Sequence, residues 1–539
     1  MKYDEKKTLV FWGAGLIAKN CLQYHSDYRP AFLIDNNPKG VVDGVDVFSP
    51  SEIKNWKKLF IVITTIYAFD IEFVLESFGL IKDKDFVYYK KFFDINYDAN
   101  SSLFNIKKYV ESHSECKNGV LLYAPCFHCR QKEKMTNFFS HYIKKHEDNH
   151  IVVISKLFGV LEKIASKKVG AKVFDLVDVS GWNGEKSTYD YCYESVKNIS
   201  PELSETELDF VDELEERKSS FNPSLSKEMT IKLYFYLKQM IFLLCPTKII
   251  IWGGEPRICF ILMNIAQKAH IQYGFMEYGW IPGTYQFDPI GIAGQSEYAI
   301  SSRQFLDFKQ NNNFEENPIE DIINFVLKNQ LDTGVFKLIH EDEEQLKKIK
   351  PNQKTIFLVG MGDAEMAMNS ESTYWKEYVS NVVSSTIDSY CLIREICKKN
   401  NFNFMFKPHP HSRTKAEDDD YRSDKDTIYI TDMSIDKLIQ MSDVVVSIAS
   451  AVDYKVLMYR KPLVSLGKTG LSGKNCVYEV IDKNEIENKV LMAACKGMTM
   501  EQFSNYKCFL SFLLEKYLWD DLSHPQFKYG LSLDKDFFD

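Results

Sequence analysis

The prediction of the fold rests on two stretches of the sequence: NFMFKPHP at residues 403–410 and DVVVSIASAVD at residues 443–453. Each begins as a short apolar run that is typical of a β-strand and ends abruptly in polar, small or proline residues. In an α/β sheet such a strand delivers its last residues to the carboxyl edge, where ligands of these folds bind. We therefore expect His409 at the end of one strand, and Ser447 and Ser450 on the loop after another.

The residues at these strand ends predict a phosphate site. A helix is expected to start near Asp453, so that an imidazole, two hydroxyls and a helix N-terminus face one crevice. We interpret this crevice as the holder of the phosphate of an activated sugar. A second His-Pro pair at His524-Pro525 shows that the dipeptide alone is not diagnostic. The strand-end position and the serine loop carry the interpretation.

Composition limits the classes of protein to consider. A chain of 539 residues is too long for one core, and about two to four domains are expected. The hydrophobic fraction of 45% and the charged fraction of 26% are ordinary for a globular protein in water. A net charge of −9 argues against nucleic acid as a partner, because general nucleic-acid binding needs clustered positive charge.

Cysteine usage and apolar runs indicate a cytoplasmic protein. The 12 cysteines are scattered, many in apolar segments, as expected of reduced core thiols. The close pair Cys126-x-x-Cys129 lacks the second pair that a structural zinc would require. The apolar runs near residues 8–18 and 233–253 are broken by glycines or by lysines and a proline, so neither predicts a signal peptide or a membrane span. Peripheral contact with the inner face of the plasma membrane remains open.

Residues 7–35 predict a βαβ unit with a dinucleotide-fold fingerprint. A strand runs into Gly13-Ala14-Gly15, a helix follows with Ala18 at the third small position, and Asp35 ends the second strand. Such glycines permit a tight turn and close approach of a pyrophosphate, and the acidic residue can bind a ribose hydroxyl. The unit is too short for a dehydrogenase, so we expect binding without catalysis, or a degenerate unit used only for packing.

The phrases IDNNPKG at residues 34–40 and FSPSEI at residues 48–53 add a resemblance. This segment resembles the small Rossmann-like domains that bind nucleotide-sugars at the front of some bacterial sugar acyltransferases and glycosyltransferases.

The alternation of strands and helices predicts an α/β fold, in which a small Rossmann-like domain precedes two Rossmann-type domains that face each other across a cleft. The expected segments are a nucleotide-binding domain at 1–95, a linker at 96–118, an acceptor domain at 119–340, a nucleotide-sugar donor domain at 350–500, and a C-terminal helix and tail at 501–539 that pack back.

Three polar side chains in the predicted acceptor domain are candidates for sugar chemistry. Glu277 follows an apolar strand and is released by a glycine turn, so it could deprotonate an acceptor hydroxyl if its environment tunes its pKa. Asp288 could supply a second carboxylate. The alternative for Glu277 is a helix-capping or strand-end role. Arg257, at another strand end, could clamp the carboxylate of an acidic sugar bidentately, or could form a surface salt bridge.

The first strand of the predicted donor domain ends in Gly360-Met361-Gly362-Asp363. Its glycines, Gly360 and Gly362, could cradle the donor phosphate or ribose.

The order of these motifs resembles the bacterial GT-B glycosyltransferases that use CMP-activated acidic sugars, above all the capsule polysaccharide synthesis family of Kps type, the Kdo transferases. The matching positions are a Glu-x-Gly stretch from Glu277 to Ser296, a Lys-Pro-His-Pro strand end from Lys407 to Pro410, the serine loop, and Leu466-Gly467 with Gly470-Leu471. Bacterial sialyltransferases are similar in the first two boxes. The likeness covers roughly residues 119–490 and implies that the two Rossmann-type domains form a GT-B-like pair. The chain departs from the pattern at Ala449-Ser450-Ala451, which keeps one hydroxyl, and at Tyr278, which replaces an acidic residue.

The resemblance implies roles for individual residues. Glu277 would act as base or transition-state stabiliser, and His409 would bind the CMP phosphate with Lys407 nearby. Ser450 would donate to the same phosphate, and Ser447 would substitute for the missing hydroxyl. Fixed donors at the leaving phosphate lower the barrier, because negative charge builds up there. CMP leaves without a bridging pyrophosphate, so neither a divalent metal nor a cofactor is expected beyond the nucleotide-sugar substrate.

The resulting expectation is transfer of Kdo, sialic acid or a related nonulosonate to a capsule or lipopolysaccharide glycan. Other polysaccharide-assembly enzymes would be further partners. Two alternatives stay open: a CDP-glycerol-type polyol-phosphate transferase, and a non-catalytic nucleotide-sugar-binding scaffold.

Overall fold

The structure is a computed structural model of the 539-residue chain. It describes residues 3–38, 40–95, 98–125, 133–177, 186–218, 220, 222–253, 256–311, 316–329, 340–363, 368–409, 421–524 and 527–538. The Cys126–Cys129 pair and Pro410 lie outside the described residues.

The chain divides into two units. Unit 1 comprises Met1–Glu215 and Ser220–Tyr273, and unit 2 comprises Glu216–Ser219 and Gly274–Asp539. The predicted boundary between acceptor and donor domains, at residues 341–349, therefore differs from the observed division. The reason is packing: Ile281, Tyr298 and Phe305 share one hydrophobic core with the strands and the C-terminal helix of unit 2.

Unit 1 contains two groups of strands with helices between them. The strands are β1 (Thr8–Trp12), β2 (Leu33–Ile34), β3 (Val41–Val42), β4 (Val45–Phe48), β5 (Leu59–Ile63), β6 (Phe86–Tyr88), β7 (Val120–Tyr123), β8 (Val152–Ser155), β9 (Lys172–Asp175) and β10 (Lys248–Trp252). The helices are α1 (Leu16–Tyr24), α2 (Ala68–Ser77), α3 (Tyr89–Phe92), α4 (Ala99–Ser112), α5 (Glu133–Lys145), α6 (Glu162–Val169), α7 (Lys186–Val196), α8 (Glu205–Glu216), α9 (Pro223–Leu244) and α10 (Pro256–Lys268).

The strands of unit 1 are parallel except at one edge. The first sheet has the order β3-β4-β2-β1-β5-β6, with only β3 antiparallel to its neighbour among the described pairs. A second parallel set runs β10-β7-β8-β9. The apolar runs of these strands are buried, which is what helices covering both faces of a parallel sheet require.

The predicted linker at 96–118 is largely helical. Asp98 caps α4 by accepting a hydrogen bond from the Ser101 N–H at 2.7 Å. Ser102, Ile106 and Val110 recur at helical spacing and form its buried face. The polar composition of this segment hid that face, because the apolar positions are few and widely spaced.

Unit 2 contains a hairpin, a parallel sheet and a returning C-terminal strand. The strands are β11 (Gln272–Tyr278, which begins at the boundary), β12 (Thr284–Asp288), β13 (Thr355–Val359), β14 (Asn403–Lys407), β15 (Thr427–Tyr429), β16 (Val444–Ser447), β17 (Leu463–Ser465), β18 (Tyr478–Glu479) and β19 (Leu518–Asp520). The helices are α11 (Glu297–Ile300), α12 (Arg303–Asn311), α13 (Glu316–Lys328), α14 (His340–Leu346), α15 (Thr373–Tyr378), α16 (Thr386–Lys399), α17 (Ile435–Met441), α18 (Val452–Met458), α19 (Ile486–Lys496) and α20 (Met500–Lys516).

The parallel sheet of unit 2, called here the C-terminal sheet, has the strand order β15-β14-β13-β16-β17-β18. All of its described pairs are parallel. Numbered by appearance in the sheet, this order is 3-2-1-4-5-6, the doubly wound order of nucleotide-binding folds. The predicted α/β class with parallel sheets is confirmed.

The C-terminal segment returns to the start of unit 2. Helix α20 opens with a capping box in which Thr499 and Gln502 satisfy each other's backbone amides. The chain then enters β19, which pairs antiparallel with β12. The hairpin, the C-terminal sheet and the tail therefore belong to one folded body.

A short excursion of the chain also belongs to unit 2. Lys218 forms an antiparallel bridge with Met368, and the Asn369 N–H donates to the Arg217 carbonyl at 3.1 Å. The Arg217 guanidinium lies 4.9 Å from the centre of the Tyr374 ring. Residues on both sides of this excursion belong to unit 1.

Candidate active site at the edge of the C-terminal sheet

The carboxyl edge of the C-terminal sheet brings together the motifs that the sequence singled out. Strand β13 lies between β14 and β16, and Val359, its last residue, pairs with both Lys407 and Ser447. The strand order reverses at β13, and ligands of open α/β sheets bind at such a switch point. His409 and Ser450 follow the two neighbouring strands at this edge.

Gly360 is required by a close approach of two strand ends. Its N–H donates to the Lys407 carbonyl at 2.8 Å. A Cβ atom at this position would lie 2.9 Å from the His409 nitrogen and 2.9 Å from the Pro408 Cα. The backbone of Gly360, in the predicted phosphate-binding loop, is thus packed against the backbone of the strand end that carries His409.

Lys407 is buried, and its ammonium donates to the Thr431 carbonyl just after β15. The same Thr431 receives support from Asp342, whose carboxylate accepts the Thr431 N–H at 3.2 Å. Lys407 therefore joins the strand end that carries His409 to the neighbouring strand end.

The loop at residues 448–451, called here the Ser loop, is held by a fully buried carboxylate. The Ser447 hydroxyl donates to Asp453 Oδ1 at 2.6 Å, and the Ser450 N–H donates to Asp453 Oδ2 at 3.3 Å. The Ser450 hydroxyl accepts the Val452 N–H at 3.2 Å. A hydroxyl that accepts one hydrogen bond can still donate its own proton, so Ser450 can serve a phosphate oxygen while Ser447 is committed to Asp453.

Asp453 makes the stability of unit 2 depend on pH. Burial raises the pKa of Asp453 to about 7. A carboxyl group whose pKa rises on folding stabilises the protein fully below its unfolded pKa, near 3.9, and this contribution is lost as the pH rises through 7. We expect the free energy of unfolding of the wild type, minus that of Asp453→Asn, to decrease between about pH 5 and pH 8 in urea titrations.

A matched change at exposed Asp307, Asp307→Asn, should stay within about 0.5 kcal/mol of the wild type throughout that range. If the free energy of unfolding of the wild type, minus that of Asp453→Asn, increased with pH over this range, the assignment would be contradicted.

The loop after β13 is fixed to the start of α16. Asp363 accepts the Thr386 N–H at 2.8 Å and the Thr386 hydroxyl at 2.6 Å, and Thr386 Oγ1 accepts the Met361 N–H at 3.1 Å. Gly362 between them is buried. Residues 361 and 363 of the predicted phosphate loop are thus tied by hydrogen bonds to the first residue of α16.

Glu277 lies within a hairpin, whereas the sequence predicted it just after a strand. It pairs with Gln286 across β11 and β12, and its Oε1 accepts the Tyr278 N–H at 3.0 Å. The pairing extends past Glu277 because the Gly279 N–H donates to the Thr284 carbonyl at 2.9 Å. The carboxylate is half-buried.

The hairpin contacts the helix that follows the Ser loop. Trp280 stacks on Tyr454, with ring centres 4.9 Å apart and an interplanar angle of 10°. Tyr454 is the neighbour of Asp453, the carboxylate that holds the Ser loop. The hairpin that carries Glu277 therefore packs against the helix that follows the Ser loop. The sequence could not reveal this contact, because Trp280 and Tyr454 are far apart in the chain.

Asp288 stabilises a turn of the chain through hydrogen bonds to backbone amides. It has no exposed surface, and its oxygens accept the N–H groups of Ile290, Gly291 and Glu297 at 2.8–3.0 Å. Burial raises the pKa of Asp288 to about 7. These contacts hold the turn before α11, so the structure does not present this side chain to a sugar.

Two glycines of the family-like boxes interlock the hairpin segment with the C-terminal sheet. A Cβ at Gly294 would overlap the Tyr378 carbonyl oxygen, and one at Gly470 would lie 2.7 Å from Cε2 of Tyr298, in the helix that follows the hairpin. A buried cation, Lys474, adds a further tie that the sequence did not suggest. Its ammonium donates to the Tyr298 carbonyl at 2.7 Å, and burial lowers the pKa of Lys474 to about 8.

Gly294→Ala is expected to destabilise the protein by about 1–3 kcal/mol, because the new methyl group meets backbone atoms that cannot rotate away. Urea unfolding measures this change. Gly15→Ala is the matched control, since a Cβ at Gly15 meets nothing within 4 Å. Equal stability of the two variants would contradict the interlocking role of Gly294.

Arg257, in unit 1, directs its fork to a protein carboxylate. Its Nε donates to Glu215 Oε1 at 3.0 Å and its Nη2 to Glu215 Oε2 at 3.3 Å. Nη2 also donates to the Ser226 hydroxyl at 2.7 Å. The predicted clamp for a sugar carboxylate is thus the bidentate partner of Glu215, an ion pair that is largely buried.

The N-terminal fingerprint residues lie around one turn. Gly13 has φ +115°, and a Cβ there would lie 2.7 Å from the Thr64 carbonyl oxygen. Asp35 Oδ2 accepts the Ala14 N–H at 2.9 Å. Gly15 precedes α1 and faces open space. The predicted glycine turn and acidic residue are therefore in contact with each other at the edge where β1 separates β2 from β5.

Two searches of the described residues gave negative results. No group of three or more His, Cys, Asp or Glu side chains in this part of the chain is placed to hold a metal ion. None of the helices that the structure describes has both the length and the apolar character needed to cross a bilayer.

The fold and site define an α/β protein with a doubly wound sheet that presents His, Ser and Gly residues at its switch point. No protein-family model matches the chain, and no curated protein matches it. The chain is similar to KpsC, a beta Kdo 2,7 transferase of Thermosulfurimonas dismutans, at 15% identity and TM-score 0.29 over 45% of this chain and 74% of that one.

Two other solved structures cover more of the chain. The Methanocaldococcus jannaschii UDP-GlcNAc 2-epimerase in complex with UDP-GlcNAc and UDP matches at 12% identity and TM-score 0.35, over 73% of this chain and 98% of that one. A glycosyltransferase from Rickettsia africae matches at 12% identity and TM-score 0.29, over 74% and 97%. Similarities of this size carry no argument for function, which depends on the chain's own residues.

Proposed function

We propose that this protein is a GT-B glycosyltransferase that moves an acidic sugar from a CMP-linked donor to a growing cell-surface polysaccharide. The observation that carries the proposal is the register of the C-terminal sheet. Val359 pairs with Lys407 on one side and with Ser447 on the other, so that His409 and the Ser loop follow the two strands that flank the switch point. Sheets of this order bind nucleotides there.

The donor phosphate is the group that these residues would serve. Breaking a bond between a sugar and a phosphate leaves negative charge on the phosphate oxygens. Donors fixed before the reaction stabilise that charge without reorganisation. The His409 imidazole and the Ser450 hydroxyl are such donors, and Lys407 and Asp453 hold the segments on which they stand.

Glu277 is the proposed base for the acceptor hydroxyl. Its hairpin is tied to α18 by the stack of Trp280 on Tyr454, which places its strand in the same unit as the phosphate residues. A half-buried carboxylate can accept a proton when desolvation brings its pKa towards the working pH.

The donor class rests on the likeness of the ordered motifs to Kps-type Kdo transferases. Kdo, sialic acid and related nonulosonates are the donors to test first. A CMP leaving group carries one phosphate, so we propose a metal-independent reaction. We place it at the inner face of the plasma membrane, where a capsule or lipopolysaccharide acceptor and other assembly enzymes would meet it.

The N-terminal domain is proposed to bind a nucleotide-sugar without chemistry. The contact between Asp35 and the Ala14 amide supports this, since it sets the carboxylate beside the glycine turn where a ribose hydroxyl would be bound. Calorimetric titration of the full chain with nucleotide-sugar should show two binding sites, of which Asp35→Ala removes one and His409→Ala removes none. A wild-type titration with a single site, or a number of sites that Asp35→Ala leaves unchanged, would contradict this proposal.

The test of the activity uses the full chain with CMP-Kdo, CMP-sialic acid, CDP-glycerol and UDP-GlcNAc, with and without a polysaccharide acceptor. Acceptor-dependent CMP release from an acidic-sugar donor is the expected result. CMP release from CDP-glycerol would favour the polyol-phosphate transferase, although no histidine occurs between residues 421 and 500 to form a second box. Binding of donors without turnover would favour the scaffold.

A further inference from the structure

A cavity lies on unit 2 between helices α13, α18 and α20. Its volume is about 320 Å³, at the lower end of the range of small-molecule sites. The walls include Ile323, Leu327, Met458 and Phe503. Three of these side chains, Ile323, Met458 and Phe503, are at most 4% exposed and belong to the hydrophobic core of unit 2, so the apolar part of the wall is anchored in that core.

Arg460 stands at the rim of this cavity in a conformation that favours glycine. It follows the C-terminus of α18 with φ +54°, and its N–H donates to the Leu457 carbonyl at 2.9 Å. Glycine is the usual residue at such a helix end because it has no Cβ penalty. Arg460 therefore places a large cationic side chain at a backbone position where glycine would be less strained.

The guanidinium of Arg460 is held over the cavity wall. Its central carbon lies 4.3 Å from the centre of the Phe503 ring. Among the residues that the structure describes, no carboxylate lies within ion-pair distance of it. The neighbouring Glu320 is paired with Lys507, whose Nζ lies 2.8 Å from Glu320 Oε1. Lys507 and Arg460 hold the pKa of Glu320 below its usual range.

The rim charges select the sign of a ligand. Glu320 is the carboxylate of the cavity wall, and its charge is balanced by the ion pair with buried Lys507, so that Arg460 leaves the wall with one net positive charge. A guanidinium recognises a phosphate or carboxylate through charge-assisted hydrogen bonds. Asn324 and Tyr459 at the rim add polar groups that could fix the orientation of such a head.

We propose that this cavity binds an anionic amphiphile, with an alkyl or aromatic body between α13, α18 and α20 and a phosphate or carboxylate head on Arg460. The ligand is either a free molecule or a lipid presented at a membrane surface. The proposal does not depend on the transferase activity, because binding alone tests it.

The test is calorimetric titration of the full chain with decyl phosphate below its micelle concentration. Decyl glucoside replaces the phosphate head by a neutral one, and inorganic phosphate keeps the charge but lacks the alkyl tail. Decyl phosphate should bind more tightly than both, and Arg460→Gln should weaken it about tenfold or more. Arg303→Gln is the matched control, since Arg303 is an exposed arginine of the same unit with a side-chain exposure of 87%.

Arg460→Gly separates binding from folding. Because glycine suits φ +54°, this variant should unfold at the same or a higher urea concentration and still lose decyl phosphate. Equal affinity of decyl phosphate and decyl glucoside, or full binding by both Arg460 variants, would overturn the proposal.

Sedimentation with phosphatidylcholine vesicles, with and without phosphatidic acid, tells whether the ligand is a membrane lipid or a free molecule. Capture by the phosphatidic acid vesicles that is lost in Arg460→Gln identifies a membrane lipid. Binding of decyl phosphate without vesicle capture identifies a free amphiphile.

Discussion

Glu277→Gln is expected to lower kcat for sugar transfer by about two to four orders of magnitude, the contribution of a positioned general base. KM for the donor should change little, because the amide keeps the shape of the side chain and removes only its ability to take a proton. Steady-state release of CMP, with the donor that proves active, measures both constants. The hairpin pairing of Glu277 with Gln286 uses backbone atoms, so the variant should remain folded.

The matched control is Glu371→Gln, which changes a carboxylate of the same unit with a side-chain exposure of 83%. It should leave kcat unchanged. If Glu277→Gln kept wild-type kcat while transfer was otherwise normal, the base would have to be another group, and the roles assigned to the hairpin would be withdrawn.

His409→Ala is expected to lower kcat by about two to three orders of magnitude, the usual effect of removing one donor from a developing oxyanion. The loss should be larger for kcat than for donor affinity, since the charge on the leaving phosphate is greatest in the transition state. Single-turnover kinetics with saturating donor separate the two quantities.

His524→Ala is the informative control for this variant, because His524 begins the other His-Pro pair and packs its ring against Phe325 with centres 5.6 Å apart. It should keep kcat. A His409→Ala protein that loses donor binding and keeps kcat at saturation would show that His409 contributes to binding alone, and the leaving-group role would be wrong.

Some features of the site followed from the sequence because they depend on neighbours in the chain. Apolar runs that end in glycine, proline or serine located the ends of β13, β14 and β16, and the alternation of strands and helices gave the α/β class. The helix expected near Asp453 begins at Val452. Such patterns are local, so one sequence is enough to show them.

Other features depend on partners that only the fold selects. For Arg257 the sequence leaves open a clamp for a ligand carboxylate and a surface salt bridge, and the fold forms an ion pair with Glu215 that is largely buried. Asp288 is surrounded by backbone amides. Asp453 was noted only as a helix start, although it holds both Ser447 and the Ser loop. Nothing in the residue types at these positions distinguishes a ligand from a protein partner.

The hairpin shows why strand direction was harder to predict than strand position. The segment IQYGFMEYGW, residues 271–280, has the apolar run of a strand, but its antiparallel partner β12 carries only scattered apolar residues. The turn between them is closed by the Gly279–Thr284 hydrogen bond. An apolar run alone does not report whether the next strand returns beside it.

The Glu216–Ser219 excursion has a consequence for recombination of genes. A gene fragment that begins at Gly274 would encode unit 2 without the piece that bridges Met368 and covers the Tyr374 ring. Shuffling of this half between chains, in nature or in the laboratory, must therefore transplant two separated pieces of coding sequence together. Unit 2 is one folded unit that is encoded by two separate segments of the gene.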